Sequence, residues 1–154
     1  MNAIAYLYTC AECGHQLKAP ETGEFSYGMF VMRAEKSDYA VFLNALEDSA
    51  FLESSQMVKE YPQIAKLPDR ERAAIQQRVY GMICDRTPTG EMLIIGLPPK
   101  CPSCGSRKMK SWKQIQPSET WPLPVVEHKS WDNKSANERL ETVDRSIQEV
   151  LKKR

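Results

Sequence analysis

Long apolar runs are missing from this chain of 154 residues; runs such as Met92 to Leu97 reach only six. No segment approaches the roughly 20 apolar residues that cross a bilayer. No basic stretch precedes Ile4-Ala5-Tyr6-Leu7-Tyr8, so a secretory leader is not expected, and the chain is expected in the cytoplasm. Charge of one sign is missing too: 21 Lys and Arg face 20 Asp and Glu, a formal net charge of +1. That excludes a strong overall field for nucleic acid or membrane and leaves room only for a local patch. Histidine is scarce, with only His15 and His128. No Walker loop, dinucleotide glycine fingerprint or His-Glu-x-x-His segment occurs. Carboxylates are scattered over charged helical faces, where solvation explains them, and no enzyme is expected. What remains is an ordinary globular composition, 42% hydrophobic and 27% charged. The chain is long enough to bury a core without disulfides.

Against these absences stands a pattern of five cysteines. Four form two Cys-x-x-Cys pairs, each followed by glycine: Cys10-Ala11-Glu12-Cys13-Gly14 and Cys101-Pro102-Ser103-Cys104-Gly105. Two cysteines three apart in a tight turn aim both sulfurs at one point. The glycine after them accepts positive φ and lets backbone N–H groups face the thiolates. Two such knuckles complete a tetrahedron around a metal, so Cys10, Cys13, Cys101 and Cys104 are the candidate ligands. A redox pair needs only one Cys-x-x-Cys at a helix start. Cys84 follows an apolar helical stripe and is expected to be a small buried residue. His15 directly follows the first knuckle and is expected at the surface or behind the ligands. His128 is expected in a charged, exposed stretch.

Tyr8 two residues before the first cysteine, Pro20 beyond the first knuckle, Leu97-Pro98 before the second, Pro102 within it and Lys108 after it extend the pattern. Together with the knuckles, these segments, about 4–30 and 92–115, resemble zinc-ribbon and rubredoxin-like domains. The resemblance implies a small antiparallel sheet and a four-thiolate metal. Zinc and iron both accept that ligand set. Rubredoxins carry an aromatic residue where this chain has Pro99, and their knuckles lie much closer than the 87 residues between Cys13 and Cys101. They are also acidic, whereas Arg107, Lys108, Lys110 and Lys113 follow this second knuckle. Structural zinc is therefore expected over redox iron.

The expected fold is α+β: a split zinc ribbon with a helical insertion between the knuckles and an amphipathic C-terminal helix. Strands are expected at 3–8, 25–33, 92–97 and 107–116, with a turn at Pro20-Glu21-Thr22-Gly23. Helices are expected from Ser37-Asp38 onward, where Tyr39, Phe42, Leu43, Leu46 and Ala50 recur at helical spacing, then over about 51–61, and again from Pro68. Residues 1–116 would form the ribbon domain with its insertion at about 36–87. Residues 117–134 would be a proline-containing strap anchored by Trp121 and Val125, the alternative being an exposed proline-rich ligand. Residues 135–154 would be a helix opened by the capping box Ser135 to Glu138. Its stripe Leu140, Val143, Ile147, Val150, Leu151 would pack on the chain's own body or make a homodimer or partner surface.

Charge is uneven. Residues 1–60 carry four basic and nine acidic side chains, and residues 101–154 carry eleven and seven. The expected function is non-enzymatic: a zinc-stabilised protein that binds a protein partner, one version being a small bacterial regulatory or toxin-neutralising, immunity-type protein. The first alternative is a nucleic-acid-binding zinc ribbon using Arg107, Lys108, Lys110, Trp112 and Lys113, since basic strands with an aromatic hold single strands. The second is a rubredoxin-like iron electron carrier.

Overall fold

In the computed structural model, which describes residues 2–24 and 26–154, the chain folds into two small antiparallel sheets and five helices. The elements run β1 (Asn2–Cys10), β2 (Gln16–Glu21), β3 (Met29–Ala34), β4 (Ala40–Asn44), α1 (Ser49–Glu60), α2 (Pro62–Ala65), α3 (Asp69–Ile83), β5 (Leu93–Ile95), β6 (Met109–Gln114), β7 (Thr120–Pro122), α4 (Lys129–Asp132) and α5 (Ala136–Lys152). β1 is the spine of the first sheet. It pairs with β2 along one edge and with β6 and then β7 along the other. The second sheet has the order β4-β3-β5.

Several expectations need correction. The helix expected from Ser37 is instead strand β4 followed by α1. Ala40-Val41-Phe42-Leu43 are all buried, an unbroken apolar run that suits a strand covered on both faces and paired with β3. Ser37 caps no helix. Its hydroxyl and N–H, and the N–H of Lys36, donate to the Glu91 carboxylate, each at 2.8 Å. These donors, the Ser37 hydroxyl foremost, hold the Glu91 carboxyl at about 2, and the turn between β3 and β4 is pinned to the segment before β5. The helix itself begins at Asp48, whose Oδ1 accepts the Phe51 N–H at 2.7 Å.

Of the turn expected at Pro20-Glu21-Thr22-Gly23, the first two residues belong to β2, which ends at Glu21. Pro20 stands opposite Ala5 on an edge strand, where a missing N–H removes no ladder bond. The strand expected at 25–33 begins at Met29, and Phe25 lies outside the described residues. β3 and β5 pair with each other and not with β1. The insertion between the knuckles is therefore mixed, with strands of its own, and not purely helical.

α1, α3 and α5 cover the second sheet and enclose the main core, with Met32, Leu43, Val79, Tyr80, Trp131 and Ile147 fully buried. In α5, Val143, Ile147 and Val150 are buried within the chain, so this stripe packs on the chain's own body, the first of its two expected placements. Leu140, expected in the same stripe, is 53% exposed because it lies at the stripe's outer margin. The capping box forms: Ser135 Oγ accepts the Glu138 N–H at 3.2 Å, and Glu138 Oε1 accepts the Ser135 N–H at 2.9 Å.

Residues 117–127 lie over the body as a strap. β7 pairs with β1, and Trp121 packs against Ala3, Val31 and Ala40. Further on, the Phe42 N–H donates to Pro124 O at 2.8 Å and the Val126 N–H donates to Phe42 O at 3.0 Å. The anchor is Val126 and not Val125, which is 50% exposed, because the parallel bridge to β4 turns alternate side chains inward. The strap ends in a polar clamp. Asp85 accepts the N–H groups of Lys129 and Ser130 at the start of α4, while Trp131 fills the core under the Arg139 guanidinium.

His128, expected to be exposed, is 13% exposed at its side chain. One ring nitrogen meets Asp48 Oδ2 and the other Asp132 Oδ1, both at 3.0 Å. The bond to Asp48 is the main reason its pKa rises to about 9. Burial alone would raise Asp48, but its bonds to His128 and the Phe51 N–H hold its carboxyl below the ordinary value.

Two outcomes follow from this packing. Ile147→Asp should cost at least the roughly 2–5 kcal/mol of a large-to-small core change, releasing α5 or unfolding the chain. Leu140→Asp should stay within about 0.5 kcal/mol, and thermal denaturation with light scattering separates the two. His128 has a raised folded-state pKa, so its contribution is complete below its unfolded value of about 6.5 and is lost as pH rises toward about 9. The melting temperature should fall over that interval, and His128→Gln should flatten the decline. Asp48 acts at the other end: its contribution is present above about pH 3.8 and is lost as pH falls through its lowered folded value.

Candidate metal centre

The first knuckle follows directly from β1 and the second precedes β6, and the pairing of these strands brings the knuckles face to face. They repeat one hydrogen-bond pattern. The Cys10 N–H donates to His15 O at 2.9 Å and the Gly14 N–H to Cys10 O at 3.1 Å. In the second, the Cys101 N–H donates to Ser106 O and the Gly105 N–H to Cys101 O, both at 2.8 Å. Gly14 and Gly105 close the turns at φ of 75° and 79°, a conformation that a Cβ disfavours.

The sulfurs of Cys10, Cys13, Cys101 and Cys104 all lie within 4.8 Å of one another. The pairs Cys10–Cys104 and Cys13–Cys101 stand 3.6 Å apart across the two turns. Four sulfurs each about 2.3 Å from one tetrahedral ion are spaced about 3.8 Å apart, so the donor set fits a four-coordinate metal. Cys10 and Cys101 are buried, while Cys13 and Cys104 are exposed. The Cys13 and then the Glu12 N–H groups favour the Cys10 thiolate, bringing its pKa down to about 7. At Cys104 the Ser106 N–H also favours the thiolate, yet the adjacent sulfurs, Cys10 first among them, push the pKa up to about 12. Four thiolates at this spacing repel, and a cation among them removes the conflict.

His15 is exposed and outside the cluster. Cys84 is also outside it, at the end of α3, where burial pushes its thiol up to about 12.

Two arginines join this centre to the second sheet. Arg33, on β3, is only 4% exposed. Its Nη1 donates to Leu97 O at 2.8 Å, and its Nη2 donates to Pro20 O and lies 3.5 Å from Glu21 Oε2. Tyr8 Oη donates to the same carboxylate oxygen at 2.5 Å. Arg107 donates to Pro98 O at 2.7 Å and to the carbonyls of Ala34, Glu35 and Ser37 at 2.9–3.3 Å. Arg107, one of the residues that the nucleic-acid alternative would use, is thereby committed to backbone carbonyls. Lys108 lies 3.6 Å from Glu12, and Lys110, Trp112 and Lys113 are exposed on β6. Neither arginine's role was visible from local pattern. The one signal was Arg33 itself, a charge in the apolar strand Met29-Phe30-Val31-Met32.

Arg107→Ala leaves four carbonyls without this donor and should cost about 1–3 kcal/mol in thermal or urea denaturation. Lys110→Ala, at an exposed position, should stay within about 0.5 kcal/mol. Compared with protein-family models, curated proteins and solved structures, the chain matches none.

Proposed function

We propose that Cys10, Cys13, Cys101 and Cys104 hold one structural zinc ion, and that the chain acts as a non-enzymatic binding protein for another protein. The observation that carries the metal reading is the cluster of four sulfurs within 4.8 Å, presented by two turns with matching hydrogen bonds. Zinc is favoured over iron because two of the four cysteines are exposed residues and Pro99 stands where an aromatic shield would be. Four protein thiolates close a zinc shell and leave no position for a reacting water, so the metal's role is to join the chain. Thiolates persist in a reducing compartment, which supports the cytoplasm as the setting. No helix is long and apolar enough to cross a membrane.

The partner reading draws on the same geometry. The basic cluster loses Arg107 to backbone carbonyls, and Lys108 is near a carboxylate, which leaves little charge for phosphates. Trp112 is 60% exposed, and exposed aromatics anchor protein contacts. A small regulatory or toxin-neutralising protein is one form of this function, since such a protein works by contact and not by reaction.

Elemental analysis of the purified chain should give one zinc per chain with no visible absorption. Structural zinc binding is worth about 10–16 kcal/mol in zinc-finger peptides, comparable with a domain's whole stability. Cys10→Ser or Cys101→Ser should therefore lose the metal and aggregate, while Cys84→Ser keeps full stoichiometry. Iron with visible absorption overturns the zinc assignment, and full metal content in Cys101→Ser overturns the site. Tight oligonucleotide binding at near-physiological salt overturns the protein-partner reading.

A further inference from the structure

β6 pairs with β1 along one edge, and among the described residues no strand pairs with its other edge. Lys110-Ser111-Trp112-Lys113, the middle of β6, is exposed throughout. A free edge presents a row of N–H and C=O groups that an extended chain can complete. Lys110 and Lys113 have no ion-pair partner among the described residues, and no Asp or Glu occurs from Cys101 to Ser118. The edge is therefore open and positively charged.

A cleft of about 320 Å³ opens beside this strand, between the two sheets. The register of β6 against β1 shifts at Thr9/Cys10, and this bulge lets Met109 and Trp112, three residues apart, line the same cleft. Phe30 and Val31, from β3, also line it. Trp112 stacks on Tyr8 with centroids 6.3 Å apart and planes at 30°. The carboxylate in the cleft, Glu21, is answered by Tyr8 and Arg33, so the floor offers no unbalanced charge to repel an acidic chain.

Resting on the protein-partner proposal, we infer that the free edge of β6 accepts an extended acidic segment of the partner as an added strand. One apolar side chain of that segment occupies the cleft beside Trp112. An unpaired backbone row calls for amide groups, which a phosphodiester chain lacks. Two unpaired lysines would give a single strand a salt slope of only about −1.4, too shallow for nucleic acid to be the main ligand. An acidic peptide satisfies the lysines, the backbone row and the apolar cleft together.

The test selects a displayed random-peptide library on the metal-loaded full chain and titrates a synthetic peptide of the enriched sequence. Enrichment of proline-poor acidic segments with one large apolar residue is expected. Affinity should fall about tenfold or more when both lysines are reversed, Lys110→Glu with Lys113→Glu, because like charges then face each other. Trp112→Ser should weaken binding similarly. N-methylating alternate amides of the peptide should abolish binding in one register and spare it in the other, an effect that charge alone does not produce. Metal content and melting temperature of each variant are measured first. The lysine changes lie on exposed positions and keep the fold. No enrichment, or equal tolerance of both N-methyl registers, overturns the inference. Peptides that bind yet ignore the lysine and Trp112 changes overturn the edge and leave the partner proposal standing. A polythymidine strand that outbinds every enriched peptide overturns both.

Discussion

The approach of four cysteine sulfurs to within 4.8 Å is the constraint on which the rest of this structure depends. The two knuckles are separated by 87 residues, and closing a loop of that length costs about 4 kcal/mol in chain entropy beyond a constant. Four thiolates also repel unless a cation lies among them. Both costs fall on one small region, so that region must be held by strong local geometry. Paired hydrogen bonds in each turn, a glycine at positive φ after each, and antiparallel pairing of β1 with β6 supply it.

The segment between the knuckles forms its own sheet and most of the helical core, so something must join the two layers. Arg33 and Arg107 do so. Each reaches from one layer to backbone carbonyls of the other, and between them they tie β2, the end of β3 and the approach to the second knuckle. A guanidinium suits this place because its planar fork satisfies several carbonyls at once and stays charged. Apolar contacts alone would not orient the two approaches to the cysteine cluster, since hydrophobic attraction has no direction.

The C-terminal part follows the same principle with different chemistry. The strap is bound through backbone, by β7 on β1 and by the bridge of Val125 to Phe42. It then turns into the core through Trp131, with polar groups arranged around that side chain. Asp85 receives the N–H groups that open α4, Arg139 covers the Trp131 ring and pairs with Glu53, and His128 joins Asp48 to Asp132. Asp48 thus caps α1 and holds the strap with its two carboxylate oxygens, coupling the start of one helix to the approach of another.

Some of this was legible in the residues. Two Cys-x-x-Cys-Gly segments determine their own turns, because the spacing and the glycine are local requirements. The sequence therefore determined the two knuckles and marked their four cysteines, apart from Cys84, as one donor set, while the pairing of β1 with β6 brings the knuckles together. The α5 capping box and its Val143, Ile147, Val150 stripe were legible for the same reason, since capping and helical period act within a few residues. Tertiary structure decided the rest. Tyr39 to Ala50 fits a helical period as well as a buried strand followed by a capped helix, and only pairing with β3 selects the strand. Pro20 signals a turn by propensity, and only its place on an edge strand makes it compatible with β2. His128 looks solvated until Asp48, 80 residues away, meets it. The bulge that puts Met109 and Trp112 beside one cleft, and the commitment of Arg107 to distant carbonyls, likewise depend on partners far along the chain. Local rules carry information over a turn or a knuckle; pairing partners and the fate of a charge are set by what the whole fold brings alongside.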